Sequence, residues 1–186
     1  CIISMEAILF HLLMIVSNYL HATTIISIAL FGLAFGGLIS FYLLRLNRIF
    51  ILSVSSLIFF ISIGLSYFSI VRLDNFNFPW LLIIPFIAGS VIVSSVFSRA
   101  DSHKIYFVDL TASAAGVVYP IIAVSMFKSE NSLLILSVLP LVFLIIQMSV
   151  VRNLIIKITG MVIPAAGIGF ILWFLNMNIG IPSDIT

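Results

Sequence analysis

Seven long apolar stretches make up nearly all of this 186-residue chain, and this feature constrains its fold more than any other. A helix rises 1.5 Å per residue, so about 20 apolar residues suffice to cross the hydrocarbon core of a bilayer. The stretches predict membrane-spanning helices at residues 2–20, 22–44, 49–71, 80–98, 105–127, 132–151 and 158–177. We therefore expect an all-α fold, a polytopic transmembrane helix bundle of about seven spans that forms one integral membrane domain over residues 1–186.

The composition excludes a water-soluble domain. Hydrophobic residues form 63% of the chain and charged residues only 8%, whereas soluble domains carry about 25% charged residues. The net charge of +2 is small and is scattered over the segments between the spans. We therefore expect the lipid bilayer, and no nucleic acid, as the partner of most of this surface.

Cys1 is the single cysteine, which excludes an internal disulfide bond and a cysteine-based metal cluster. Because the sequence starts there without a methionine, Cys1 is either the lipidated first residue of a processed lipoprotein or the first residue of a fragment, and we favour the fragment. The sequence contains no glycine-rich nucleotide loop, no HExxH motif and no histidine pair suited to haem. We expect no cofactor, no metal site and no catalytic residue.

Cations between the spans predict the orientation, because they gather on the cytoplasmic side of a membrane. When successive loops are placed on alternate sides, only Arg72 and Lys128 fall on one side. Six cations fall on the other side: Arg45, Arg48, Arg99, Lys104, Arg152 and Lys157. This asymmetry predicts an N-terminus inside, and we expect the protein in a bacterial inner (plasma) membrane.

Small residues at helical spacing predict where helices approach each other. Gly32, Gly36 and Ser40 follow one another at four-residue spacing in the second span and so share a face. Small side chains on one face let two membrane helices pack closely. We assign these three residues, and Gly116 of the fifth span, to helix packing. Proline is expected to kink four later spans, since it removes a backbone hydrogen bond, and these prolines are Pro85, Pro120, Pro140 and Pro164.

Two carboxylates lie inside the apolar stretches, Glu6 in the first and Asp109 in the fifth. A charge in hydrocarbon costs roughly 2.5–3.5 kcal/mol even on the mildest scale, so such a group is paired, hydrated or functional. His11 falls near the midplane of the first span, and a polar residue follows it seven positions later. The candidate intramembrane polar site consists of Glu6, His11, Asn18, Asp109, Ser113 and Tyr119.

Two interpretations of these polar residues stay open. Carboxylates and a histidine can relay protons or hold a cation or an amine. Alternatively the groups are structural: Asp109 binds Lys104, Arg99 or nearby hydroxyl groups, and His11 makes an interhelical hydrogen bond. We favour the structural interpretation, because nothing in the sequence indicates that spans one and five touch. A small, partly polar stripe of Asp109, Ala112, Ser113, Gly116 and Pro120 nevertheless predicts that Asp109 faces another helix.

Residues 5–44 contain a glutamate near the start of one helix and paired glycines in the next. This segment resembles the first helix pair of the membrane domain in spermidine-synthase-like integral membrane proteins. Glu6 matches the glutamate of that family, and Gly32, Gly36 and Gly37 match its glycines, whereas His11 stands where the family usually has arginine.

Residues 105–123 extend the resemblance to the tyrosine–aspartate–leucine helix of the same family. Tyr106, Asp109, Leu110 and Gly116 are in register with it. In the family this membrane domain is commonly fused to a soluble aminopropyltransferase-like domain, which binds decarboxylated S-adenosylmethionine and a polyamine. The motifs of that soluble domain are absent from these 186 residues. The resemblance therefore implies the membrane half alone.

Three functions follow as expectations, in decreasing order of support. The first is a non-catalytic membrane domain that acts as scaffold or subunit for a fused soluble domain, a protein partner or a larger membrane complex. The second is a small transporter or channel module for protons, polyamines or another cation that uses Glu6, His11 and Asp109. The third is an enzyme acting on a lipid or polyamine, which is weakest because no nucleophile–base pair can be named.

Overall fold

The computed structural model describes residues 2–16, 19–43, 47–71, 79–98, 102–126, 129–149, 151 and 154–179. Over these residues the chain is helical apart from short connections and contains no strand, so the expected all-α fold is confirmed. A 3₁₀ turn at Pro79–Leu82 precedes the fourth α-helix. The α-helices are α1 (Ile2–Val16), α2 (Tyr19–Leu43), α3 (Arg48–Val71), α4 (Ile83–Phe97), α5 (Ser102–Met126), α6 (Ser129–Leu136), α7 (Val138–Ser149) and α8 (Leu154–Ile179).

Within the described ranges, four helical segments are long and apolar enough to cross a membrane: Thr23–Leu43, Ile49–Ile70, Tyr106–Met126 and Asn131–Ser149. They lie in α2, α3, α5 and the consecutive helices α6 and α7. Shorter apolar segments occupy α1, α4 and α8, at Ile2–Ile15, Ile83–Phe97 and Gly160–Trp173. The structure is therefore a helix bundle with four candidate spans, which indicates a membrane protein.

Helices α2 and α4 pack closely against each other, and two glycines make that approach possible. A β-carbon at Gly32 would lie 2.7 Å from Cβ of Phe86, and one at Gly36 would lie 2.6 Å from the carbonyl oxygen of Ile87. Ser90 closes the same interface, because its hydroxyl donates a hydrogen bond to the carbonyl oxygen of Leu33 at 2.7 Å. Any larger side chain at Gly36 would have to push the two backbones apart.

Several serines of α3 face the bundle rather than the surface. Ser56, Ser62 and Ser66 are buried. Each donates its hydroxyl proton to a carbonyl oxygen of its own helix at 2.7–2.9 Å. Because these hydroxyls are satisfied locally, they let neighbouring helices approach without leaving a polar group unpaired.

Prolines shape the helices in different ways. Pro140 has no N–H to offer to the carbonyl of Leu136, and the helix is broken at Ser137, between α6 and α7. Pro120 and Pro164 lie inside the continuous helices α5 and α8. Pro85 lies in the first turn of α4, where no helical N–H bond is required. The span that begins at residue 80 in the sequence prediction therefore begins as a 3₁₀ turn that passes into α4.

A hydrophobic core joins α1, α2, α3, α4 and α6 through fully buried side chains such as Met5, Ile25, Ile63, Phe86 and Leu133. Two helices lie at the edge of this core. The main contacts of α5 are with α1 and α6, and those of α8 are with α7. Asp109, one of the predicted polar-site residues, therefore lies on an edge helix.

Candidate functional site

A crevice of about 450 Å³ lies beside α5. Residues of α4 and α5 form its two walls, and Leu139, Pro140 and Phe143 of α7 line it as well. Ile2 of α1 and Phe59 of α3 also contribute to the lining. Its volume falls within the range of about 300–1,000 Å³ that is typical of small-molecule sites in proteins.

The local packing of α5 explains why the crevice exists. Gly116, Pro120 and Ala123 are buried, whereas Val108 and Ala112, nearer the start of α5, are exposed. At Gly116 the backbone of α5 lies against α1, where the hydroxyl of Ser4 donates a hydrogen bond to the carbonyl oxygen of Gly116 at 2.9 Å. Thus α5 is attached through its second half, and the gap at its first half is the crevice.

Gly89 of α4 allows the first residue of α1, Ile2, to approach the crevice wall that lies opposite α5. A β-carbon at Gly89 would lie 2.8 Å from both Cδ1 and Cγ1 of Ile2. The side chain of Ile2 therefore lies against the backbone of α4, and both residues line the crevice. The inner end of the crevice is apolar as a result.

Lys104 and Asp109 are the charged residues that line the crevice, and both belong to α5. Asp109 is exposed, and the structure shows no hydrogen bond or ion pair between its carboxylate and any other residue that it describes. The sequence predicts that Asp109 faces another helix. In the structure it faces the crevice, and the residues of α4 and α7 that line the crevice across from it are apolar. One carboxylate and one ammonium group on an apolar crevice can bind a charged or dipolar head group.

The other residues of the predicted polar site lie elsewhere. Glu6 is half-buried and His11 is exposed on α1, and neither side chain makes a hydrogen bond or ion pair with a described residue. Asn18 lies outside the described residues. Ser113 and Tyr119 are half-buried on α5.

Tyr119 has a structural contact rather than a place in the crevice. Its hydroxyl donates a hydrogen bond to the carbonyl oxygen of Ser132 on α6, 3.1 Å away. Together with the bond from Ser4 to Gly116, this contact ties the second half of α5 to the bundle.

The two carboxylates, Glu6 and Asp109, lie at different distances along their helices from the contact between Ser4 and Gly116. Asp109 precedes Gly116 by seven residues, which is about 10 Å of helix, whereas Glu6 is only two residues from Ser4, the partner of Gly116. Although α1 and α5 touch, Glu6 does not line the crevice. The geometry therefore does not present Glu6 and Asp109 as a catalytic pair.

One polar contact was not identified from the sequence. The hydroxyl of Ser53 on α3 lies 2.7 Å from the carbonyl oxygen of Ile49 and 3.3 Å from Oε1 of Gln147 on α7, so its one proton is shared between these two acceptors. Nε2 of Gln147 is buried and has no hydrogen-bond partner within the described part of the chain. The sequence signal for this contact was an amide side chain inside an otherwise apolar stretch.

Among all the residues that the structure describes, no group of three or more His, Cys, Asp and Glu residues is arranged to hold a metal ion.

A scan against models of protein families and searches of curated proteins and of solved structures found no match to this chain.

Proposed function

We propose that this chain is a non-catalytic membrane domain that serves as scaffold or subunit for a soluble domain or a larger membrane complex. The observation that carries the proposal is how little of α5 is buried within the chain. Only 17% of its candidate span is buried within the chain, compared with 44% for the span in α3 and 50% for that in α6 and α7. A long helix that is this weakly covered has most of its surface available to a partner.

The outer face of α5 has the chemistry of a membrane helix interface. Thr111, Ala114 and Ala115 are small and exposed. The hydroxyl of Thr111 lies 3.0 Å from the carbonyl oxygens of both Phe107 and Val108, so its donor is satisfied within the helix. Small residues with satisfied hydroxyls favour close packing of a second transmembrane helix.

Interior polar groups support a packing role over catalysis. The buried serines of α3 donate to carbonyls of their own helix, and Tyr119 donates to the backbone of α6. Groups committed in this way hold helices together and do not present a nucleophile to a substrate.

The proposal includes a topology. We propose seven crossings with the N-terminus inside, in a bacterial inner membrane, with α6 and α7 together forming the sixth crossing and α1, α4 and α8 forming the first, fourth and seventh. The excess of cations on one side supports this orientation, because six of eight Lys and Arg residues fall there. The resemblance to the membrane domain of spermidine-synthase-like proteins supports a soluble aminopropyltransferase-like domain, fused or separate, as one candidate partner.

The experiment compares two variants, each of which replaces an exposed alanine with leucine, in protein extracted from native membranes with its surrounding lipid. Ala114→Leu places a large side chain on the outer face of α5, and Ala34→Leu makes the same change at an exposed position of α2. The mass of the purified particle is measured for both variants and for the unchanged chain. We expect a complex heavier than one chain that Ala114→Leu weakens by about tenfold, as a steric cost of about 1.4 kcal/mol implies.

Ala34→Leu should leave the complex intact. A homogeneous single-chain particle in the unchanged protein contradicts the proposal outright. Equal loss of mass in both variants contradicts the assignment of the interface to α5.

A second candidate, a transporter or channel for protons, polyamines or another cation, is favoured by one observation: Asp109 lines an open crevice with no partner for its carboxylate in the described structure. In this case Glu6, His11 and Asp109 would carry the ion. Cation flux into vesicles that contain the purified chain tests this function. Flux abolished by Glu6→Gln and Asp109→Asn supports it, and flux that survives both substitutions removes these residues from the mechanism.

A further inference from the structure

The candidate span in α5 would place one end of the crevice at the depth of lipid head groups and the other at the depth of acyl chains. Tyr106 is the first residue of the candidate span in α5. Lys104 precedes it by two residues, and Asp109 follows it by three, which is about 4.5 Å along the helix axis. With this span, both charged residues of the crevice would lie close to the membrane–water interface, where charged side chains are tolerated at low cost.

The remainder of the crevice extends away from this interface and is apolar. Along α4 its lining runs from Phe97 to Gly89, eight residues or about 12 Å of helix. Val93 and Phe97 are exposed on that wall, and Val108 and Ala112 are exposed on the facing wall of α5. A gap of about 450 Å³ left empty would forfeit the van der Waals contacts of all these side chains. In a bilayer, the material available to fill it is hydrocarbon.

The charges at the rim select among lipid head groups. The Asp109 carboxylate accepts hydrogen bonds and can bind an ammonium group. Lys104 adds a positive charge to the same rim, which disfavours a ligand that carries positive charge alone. A polyamine fits this crevice poorly for two reasons. It is polycationic, which Lys104 disfavours, and it has no long apolar segment to fill the apolar part of the crevice.

We propose that this crevice is a binding site for one aminophospholipid, with an acyl chain between α4 and α5 and the primary amine of its head group on the carboxylate of Asp109. The N–H bonds of a primary amine allow charge-assisted hydrogen bonds to Asp109, which a quaternary choline group cannot make. The site is independent of the partner interface proposed on the outer face of α5.

The test is native mass spectrometry of the purified full chain after reconstitution in bilayers of equal parts phosphatidylethanolamine, phosphatidylcholine and phosphatidylglycerol. The measured quantity is the ratio of bound phosphatidylethanolamine to bound phosphatidylcholine. We expect a preference of about tenfold, the size that a charge-assisted hydrogen bond provides. Asp109→Asn should reduce the ratio to about that of the bilayer, and Glu6→Gln, which changes the carboxylate outside the crevice, should leave it unchanged.

A second pair of variants tests the acyl-chain part of the site without changing any charge. Ala112→Trp fills the crevice from an exposed position, and Ala34→Trp makes the same change at an exposed position of α2 that does not line it. We expect Ala112→Trp to abolish retention of the lipid and Ala34→Trp to preserve it. The proposal is overturned if the unchanged chain retains all three lipids equally, if Asp109→Asn keeps the preference, or if Ala112→Trp retains the lipid as well as Ala34→Trp does.

Discussion

The hydroxyl of Ser4 donates a hydrogen bond to the backbone carbonyl oxygen of Gly116, with 2.9 Å between the two oxygen atoms. This bond joins α1 to α5 across 112 residues of sequence. A β-carbon at Gly116 would lie 3.4 Å from the hydroxyl oxygen of Ser4, at van der Waals contact, so the two helices lie close together here. The contact holds the second half of α5 against the bundle, and the crevice opens in front of the first half.

Removing this bond should loosen α5 measurably. Ser4→Ala is expected to lower the free energy of unfolding by about 0.6 kcal/mol, and by no more than about 1.7 kcal/mol, the range for interhelical hydrogen bonds in membranes. Ser56→Ala is the matched control, because Ser56 is equally buried but bonds to Leu52 within its own helix. Unfolding in mixed micelles measures both. A loss from Ser56→Ala that equals or exceeds the loss from Ser4→Ala contradicts the assignment.

The close approach of α2 and α4 makes a second prediction. A β-carbon at Gly36 would lie 2.6 Å from the carbonyl oxygen of Ile87, which is backbone and cannot rotate away. Gly36→Ala should therefore destabilise the bundle by about 1–3 kcal/mol, as overpacking does.

Gly64→Ala is the control for this change, since a β-carbon at Gly64 meets nothing within 4 Å. Its effect should be neutral, or stabilising by up to about 1 kcal/mol through helix propensity. The thermal stability of both variants in the same detergent is the measurement. Equal stability of the two variants would mean that α2 and α4 do not meet at Gly36.

The sequence was sufficient to predict the helical fold and part of the packing, because both depend on local patterns. Runs of apolar residues identify helices that can cross a bilayer, and the four-residue spacing of Gly32 and Gly36 identifies the face on which they lie. The partner of that face, α4, could not be predicted, since packing between distant helices depends on complementary shapes of both.

The candidate site was less predictable than the fold. Asp109 was identified from its charge, and the structure places it on a crevice with Lys104. The crevice itself involves five helices, and its existence depends on where α5 is attached. No local pattern carries that information. Likewise, the break at Ser137 lies three residues before Pro140, so the proline signal located the disturbed region but not the residue at which α6 ends.

The buried amide of Gln147 gives a third prediction. Its Oε1 accepts a hydrogen bond from Ser53, but its Nε2 has no partner among the described residues. A buried donor without a partner costs about 1–3 kcal/mol. Gln147→Met keeps the length of the side chain and removes the donor, so the free energy of unfolding should rise by about 1 kcal/mol.

Gln147→Glu serves as the contrasting variant, because it keeps the acceptor but adds a charge at the same buried position, and it should destabilise the bundle. Chemical unfolding of the three proteins under identical conditions is the measurement. A stability loss in Gln147→Met would show that the amide nitrogen has a stabilising partner after all.

The proposed orientation predicts a labelling pattern. In a Cys1→Ser background, the variants Asn47→Cys and Asn75→Cys place single cysteines in the loops that the sequence assigns to opposite sides. With an inside N-terminus, a membrane-impermeant thiol reagent applied to intact cells should label only Asn75→Cys. Labelling of Asn47→Cys alone would reverse the orientation, and labelling of both would mean that one of them is wrongly placed.

Photo-crosslinking in native membranes tests the central claim, that α5 holds a partner chain, most directly. A photoreactive side chain replaces Ala114 on the outer face of α5 or, in a separate sample, Ala34 on α2, and the mass of each product is measured after irradiation. The proposed function predicts a polypeptide adduct from position 114 at several times the yield from position 34. Adducts of lipid mass alone from position 114, or polypeptide adducts at equal yield from both positions, would contradict it.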